Sequence, residues 1–489
     1  MKTLSRRGFL AAGAATIAAS QFPFRARAEE PAPLRLAAAS RTLDIDGRAA
    51  TVFGLAGPGG QGLVLDPGQR FRVELANALA VPTIVHWHGQ IPPNAQDGVP
   101  DMPLPLLQPG ETRNFDFAPL AGTHWMHSHV PIQEMQLLAA PLIVCRPEDV
   151  SADRQEVVLF LHDFSFKAPE EVLAEITGGH GGGHGSDHGA APEAMQGMDH
   201  GDMDMGNMDM SGMGMGGMAM DLNDYDWDAY LANDRTLSDP EVIPVEKGGR
   251  VRLRVINAAA ATVFWIDTGA VSGRLVAVDG HDVRPVPGSR FGLAMGQRLD
   301  IEIDLPKEGG AWPILALREG ARERTGLILA TPGASVTKLA PLSEKEAPAF
   351  DTDLAQEASL AAIDPLPART ARSRMVMLGG SMQPYAWTID GATWGRHKPV
   401  AAKSGERVEL MFHNMSMMGH PMHLHGHTFQ VVGINARRFA GARRDTVYVP
   451  PMAAVTVALD AGEAARWMLH CHHMPHLSTG MMTEFQVAA

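Results

Sequence analysis

Along most of the chain, apolar residues alternate with polar ones in short runs separated by Gly, Pro, Asn and Asp. This period-two pattern marks half-buried strands bounded by turns. One run recurs: Gly68-Gln69-Arg70-Phe71-Arg72-Val73-Glu74-Leu75-Ala76-Asn77 is echoed by Gly248–Asn257 and by Gly405–Asn414. Each copy has Gly at its head, Arg two residues later, apolar residues at alternate positions and Asn nine residues after the Gly. The middle copy carries Arg250, Val251, Leu253, Val255 and Asn257; the last carries Arg407, Val408, Leu410, Phe412 and Asn414. The copies lie 180 and 157 residues apart. Setting aside a compositionally foreign stretch of about forty residues in the longer interval leaves similar units, as an internal repeat requires. The pattern predicts an all-β chain of three related β-sandwich units. The expected boundaries are 29–150, 151–340 and 368–489, with a Pro/Ala/Glu-rich linker over 341–367.

Composition agrees with this division. A chain of 489 residues that is 45% apolar has room for about three domains, each with its own core. Forty-one Lys and Arg against 55 Asp and Glu give a net charge of −14, and no basic block suggests a nucleic-acid partner. Two Cys cannot build a disulfide framework. No stretch after the first twenty residues is long and apolar enough to span a bilayer, and a monomer is expected. Ser5-Arg6-Arg7-Gly8-Phe9-Leu10 opens an apolar run ending at Ser20, followed by Arg25-Ala26-Arg27-Ala28. Residues 1–28 therefore read as a twin-arginine-type signal peptide, which implies export to a bacterial periplasm. Without their five basic residues the chain carries −19.

The 21 His and 28 Met change the picture most. Ten His fall in four clusters: His86-Trp87-His88; His127-Ser128-His129; His420-Pro421-Met422-His423-Leu424-His425; and His470-Cys471-His472 followed by His476. On a strand, residues i and i+2 share a face about 6.6 Å apart, so each His-x-His suits neighbouring metals better than a single ion. Four pairs supply eight imidazoles, a donor that suits Cu, Zn, Fe and Ni. Cys471 points away from His470 and His472, toward a second site. His420, Cys471 and His476, with Met481 ten residues beyond the Cys, make the His₂Cys set with a weak thioether that favours blue copper over zinc.

These residues resemble the four copper signatures of the three-domain multicopper oxidases (laccases, cuprous oxidases, bilirubin oxidases), over nearly the whole chain after residue 28. The resemblance implies three cupredoxin-like Greek-key β-sandwich domains and four copper ions, one type 1, one type 2 and two type 3. It implies His420, Cys471 and His476, with axial Met481, for type 1; His86 and His423 for type 2; His88, His127 and His472 for one type 3 ion; and His129, His425 and His470 for the other. The implied reaction takes one electron at a time from Cu(I) or another small reducing substrate and reduces dioxygen to water. Asp97, in Gln96-Asp97-Gly98, matches a proton-relaying carboxylate of the family, and equally reads as a turn-forming Asp before Gly. Many bacterial relatives carry an acidic residue directly after the second type 1 His. This chain has Leu477 there, and Glu134, five residues beyond His129, is the candidate substitute.

From Gly178 to Met220 the composition turns to Gly, Met, His and Asp, with ten Met between Met195 and Met220 and with His180, His184, His188 and His200. Such a tract cannot pack a core. Thioethers favour Cu(I), so the segment reads as a site for additional labile copper, a collecting arm or a lid. It is similar in kind to the Met-rich insert of periplasmic cuprous oxidases. Thirteen Met occur from Met375 onward; core packing is the default for each, with Met418 and Met474 the best candidates for a surface copper path. Cys145 reads as a buried small hydrophobe, and His162, His281, His397 and His413 have no partner pattern. The leading expectation is a cuprous oxidase serving copper tolerance. A laccase-like oxidase of phenols or other metal ions, and a copper-storage protein, are the alternatives.

Overall fold

The computed structural model describes residues 32–178 and 222–489. The signal sequence expected over 1–28 and nearly all of the 178–220 segment lie outside the described residues.

Among the described residues the strands form six sheets, which fall in chain order into three pairs. Strands between Leu34 and Val144 build sheets of five and four strands, those between Gln155 and Ala330 sheets of six and five, and those between Arg372 and Ala488 sheets of seven and five. Helices are short, the longest described being the nine-residue Pro169–Thr177, and none is long and apolar enough to cross a membrane. The expected all-β class is what the chain adopts, and Leu34–Ala489 forms one compact unit.

The repeated run becomes an equivalent strand in each sheet pair: Phe71–Asn77, Arg250–Asn257 and Arg407–Asn414. Each has one parallel neighbour (Leu34–Ile45, Gln155–Phe164 and Arg372–Met382) and one antiparallel neighbour (Thr112–Phe117, Arg298–Asp304 and Ala454–Asp460). The leading glycines have φ of +74°, +65° and +76°, a left-handed turn that favours Gly. The closing asparagines explain their own recurrence. Asn77, Asn257 and Asn414 are buried, and each side-chain oxygen accepts the N–H two residues on. Each amide nitrogen donates to two or three carbonyls further along the chain: Val81 and Leu107; Thr262 and Leu293; Met418, Val449 and Pro450. An aspartate could accept but not donate, so the pattern selects Asn.

Each sheet pair encloses an apolar core, with Trp87 and Phe71 buried in the first, Phe264 and Ile301 in the second, and Trp387, Trp467 and Phe412 in the third. Burying such side chains contributes about 1.5–3 kcal/mol each and holds the neighbouring strands in register. Residues 341–367, expected as a linker, pack on the middle sheets. They make bridges at Leu342, Ala347 and Ala362, and the buried Glu357 accepts from Arg444 at 2.9 Å. Pairing with Arg444 is what lets a carboxylate-bearing segment leave water.

Candidate metal centre

Each His cluster sits at the end of a buried strand. His86 and His88 lie on Val85–His88, and His127 on Gly122–Ser128 directly opposite His86. His420 and His423 lie on His420–Leu424; Met422 and His423 oppose Cys471 and His470 of Arg466–Cys471. His129, His425 and His472 follow their strands by one residue, and His476 is in the short helix Met474–Ser478. All ten His and Cys471 are at most 5% exposed. The gap of three between His420 and His423 sends their side chains to opposite faces.

The side chains gather in separate groups. His88, His127 and His472 offer donor atoms within 4.8 Å of one another, as do His129, His425 and His470, and as do His420, Cys471 and His476. His86 and His423 bring their Nε2 atoms within 3.4 Å, and His425 and His470 theirs within 3.1 Å. In the second site Cys471 Sγ lies 3.7 Å from His420 Nδ1 and 3.5 Å from His476 Nδ1, and those nitrogens are 3.2 Å apart. Met481 is fully buried in the same apolar cluster as Cys471, and its backbone is bonded to both Cys471 and His476.

Hydrogen bonds set which ring nitrogen faces inward. Carbonyl and carboxylate oxygens only accept, so the nitrogen against them carries the proton. His86, His127, His423 and His470 donate from Nδ1 to the carbonyls of Asp97, Ser128, Asp445 and Cys471 at 2.8–3.0 Å. His425 donates from Nδ1 to Asp97 Oδ2 at 2.9 Å. Their Nε2 lone pairs are left facing the cluster. His88 is reversed: Nε2 donates to Asp445 Oδ1 at 3.0 Å, which leaves Nδ1 as the donor atom toward a metal. His420 is likewise held through Nε2 by Ser416 Oγ at 2.9 Å, freeing Nδ1 toward Cys471. Among the described residues, His88 Nδ1, His127 Nε2 and His129 Nε2 are buried with no hydrogen-bond partner, a cost that a cation at the centre would remove. Burial keeps His88, His127, His129, His423, His425 and His476 neutral, with His420, His470 and His472 pushed down to about 3, so their lone pairs are available to metal. Burial also pushes the Cys471 thiol well up, so a bound cation has to displace its proton. The donor set therefore fits copper ions at both places.

Both carboxylates singled out in the sequence are at the cluster. Asp97 follows the one-turn helix Asn94–Gln96, and Gly98 after it has φ of +87°, where any Cβ would overlap the Val85 carbonyl. Asp97 is thus a turn residue whose carboxylate also reaches His425, and the two sequence readings are compatible. Glu134, in Pro131–Glu134, lies with Oε1 2.8 Å from His127 Nδ1. Burial pushes its carboxyl up to about 7, partly offset by the nearby His472 and His86. Its helix packs on Met474–Ser478, where Leu477 stands.

The sequence reading missed Asp445 and Arg298. Buried Asp445 receives His88 through its side chain and His423 through its backbone. Arg298 of the middle sheets donates to Asp445 at 2.7 and 2.5 Å. Burial alone would raise Asp445, but Arg298 and the Thr446 hydroxyl more than offset it and hold the carboxyl below its ordinary value. Neither residue stands near a His cluster in sequence, so no local signal could have found them. Also missed was Asp224, whose Oδ2 lies 3.7 Å from His476 Nε2 and 3.6 Å from His473 Nε2 and accepts from Tyr385 Oη. Met418 and Met474, expected near a surface path, are buried.

Three family models, each described as multicopper oxidase, match residues 42–149, 200–332 and 368–489. A multicopper oxidase of Mycobacterium tuberculosis is 30% identical over 99% of this chain and 96% of its own length. Copper resistance protein A of Escherichia coli is 24% identical over 86% of each. The crystal structure of a multi-copper oxidase from Pseudomonas thermotolerans superposes with a TM-score of 0.67 at 23% identity, over 93% of this chain and 98% of that one. Fold, neutral imidazole clusters and a full-length relative converge: the chain belongs to the multicopper oxidase family, copper-dependent oxidoreductases with oxygen as electron acceptor.

Proposed function

We propose that this multicopper oxidase oxidises Cu(I) to Cu(II), in the periplasm, for copper tolerance. Four Cu(I) ions would give up one electron each, and with four protons these reduce one dioxygen to two waters. In this reading His420, Cys471 and His476, with Met481, hold type 1 copper, and His86 and His423 hold type 2. His88, His127 and His472 hold one type 3 ion, and His129, His425 and His470 the other. Copper so bound supplies one-electron redox chemistry at the first site and dioxygen reduction at the cluster.

The chain's own residues do the rest. Cys471 lies between His470 and His472 in sequence, so its backbone is a short covalent path from one site to the other. Asp97 accepts hydrogen bonds from His425 and His86 beside the cluster, and Glu134, against His127, holds a proton there. A carboxyl lifted to about 7 can both take and give a proton near neutrality. Glu134 reaches the centre from the first sheet pair and serves in place of the acidic residue absent at Leu477.

What carries the choice of Cu(I) is where the Met/His/Asp tract rejoins the described chain. Leu222 and Asp224 follow it directly; Leu222 lines a cavity with Met295, Met418, Glu319 and His473, and His473 stacks on His476 at 3.9 Å. The described chain that follows the soft-donor tract therefore begins beside the site proposed to take electrons. The resemblance to copper resistance protein A agrees. Deleting residues 178–220 and comparing Cu(I), Fe(II) and phenols as substrates tests the reading. Cu(I) oxidation should fall and phenol oxidation rise; unchanged Cu(I) oxidation with no gain on phenols would refute it. A copper-loaded protein that is not blue, or that consumes no oxygen with Cu(I), would favour storage.

A further inference from the structure

The third sheet pair has two faces of different chemistry. Toward the core, the paired strands Arg372–Met382 and Arg407–Asn414 present Val376, Leu378, Val408, Leu410 and Phe412, all at most 1% exposed. The outward positions read Met375 and Met377 on one strand, and Met411 and His413 on the other. The strands run parallel in a register that sets Met375 beside Met411 and Met377 beside His413. Met375 is 59% exposed, and the other three are partly exposed.

An outward sheet face built for stability alone favours β-branched and aromatic residues, and an exposed thioether gains little from burial. Three thioethers and an imidazole at adjacent positions do share one affinity, for a soft monovalent cation. Neighbouring strands are about 4.8 Å apart and alternate residues about 6.6 Å. The three rotatable bonds of Met span such distances, so all four side chains can converge on one ion. The next strand sets the small side chains of Ala454 and Thr456 opposite His413 and Met411. The overall negative charge favours any cation.

We propose that the outward face formed by Met375, Met377, Met411 and His413 binds one soft monovalent cation of the Cu(I) class, separately from the two sites described above. Binding here requires no turnover, so the site stands or falls apart from the choice of oxidase substrate.

The test is methionine oxidation by dilute peroxide, read peptide by peptide by mass spectrometry on the copper-loaded full-length protein, with and without Ag(I) as a redox-silent probe. At free Ag(I) about ten times the dissociation constant, oxidation at Met375, Met377 and Met411 should slow about tenfold. Met482, on the other sheet of this pair and partly exposed, should be unchanged. The double variant Met375→Leu/Met411→Leu keeps volume and apolarity, and its blue absorption reports an intact fold. It should abolish Ag(I) protection of Met377, and His413→Ala should weaken it. Equal oxidation with and without Ag(I), protection by Cu(II) as strong as by Ag(I), or protection that needs only high protein concentration would each overturn the proposal, the last by pointing to a second copy covering the face.

Discussion

The outer two sandwiches and the middle one share the repeated strand, its leading Gly and its closing Asn, yet all ten clustered His belong to the outer two. After Asn414 the chain reaches Ser416, which orients His420; after Asn257 it runs through Ala258-Ala259-Ala260-Ala261, buried and without a metal donor. The middle sandwich contributes differently. Arg298 clamps Asp445, and Asp224 faces His476. The strand scaffold and the metal chemistry are thus separable. The same frame can carry donors or can carry the charges that hold another unit's donors in place.

The sharpest way to break the comparison is at the two Cys. Cys471→Ser should remove blue absorption and reduce oxidation of every substrate to background, whereas Cys145→Ser, at the half-buried thiol outside the clusters, should leave both unchanged. A blue Cys471→Ser protein would overturn the type 1 assignment.

Acid comes next. Buried His420, His470, His472 and also His124 are held near 3. They stay neutral in the folded state while the unfolded chain protonates at about 6.5. The unfolded state therefore binds more protons below pH about 6.5, and stability should fall from there down to about 3. Glu134, Glu319 and Glu357, raised to about 7, 8 and 6, oppose this between those values and their unfolded value of about 4.3, but the lowered buried imidazoles outnumber them. Melting temperatures of copper-free protein should drop steeply over that window. Copper-loaded protein should drop less, because bound metal competes with protons for the ligands.

Arg298→Met tests the middle sandwich. It strands the Asp445 carboxylate in the interior, which should cost about 3–5 kcal/mol. The loosened hold on His88 should weaken copper binding about 10–100-fold, measured by chelator competition. Native copper retention would mean that the clamp serves stability alone.

The smallest effects should come from the repeated asparagines. Ala at Asn77, Asn257 or Asn414 leaves buried carbonyls unpaired and should cost about 1–3 kcal/mol each in denaturant unfolding. Only Asn414→Ala should also shift the blue band, because Asn414 fixes the loop of Ser416 and Met418. A shift in Asn257→Ala would mean that the middle frame communicates with the type 1 site directly.

Much of the site was readable from the chain because its information is local. Period two places His470 and Cys471 on opposite faces, and a gap of three separates His420 from His423 in the same way. Asp97 could be suspected because it matches a carboxylate of the resembled family just after the first His pair, and Glu134 because it stands five residues beyond His129. Asp445 could not, since it meets His88 from 357 residues away, nor could Arg298, which meets Asp445 from 147. Nor did the sequence pattern separate the exposed Met375 from the buried Met418 and Met474, since thioethers suit core and surface alike.

By itself, then, the sequence determined the β class, the repeated frame and the ligand types, because strand periodicity and turn chemistry act over a few residues. Only the tertiary structure decided which ring nitrogen faces each centre, which buried charges compensate one another, and which methionines meet across a parallel register. Those depend on atoms brought together from distant segments, where burial makes every unpaired polar group costly.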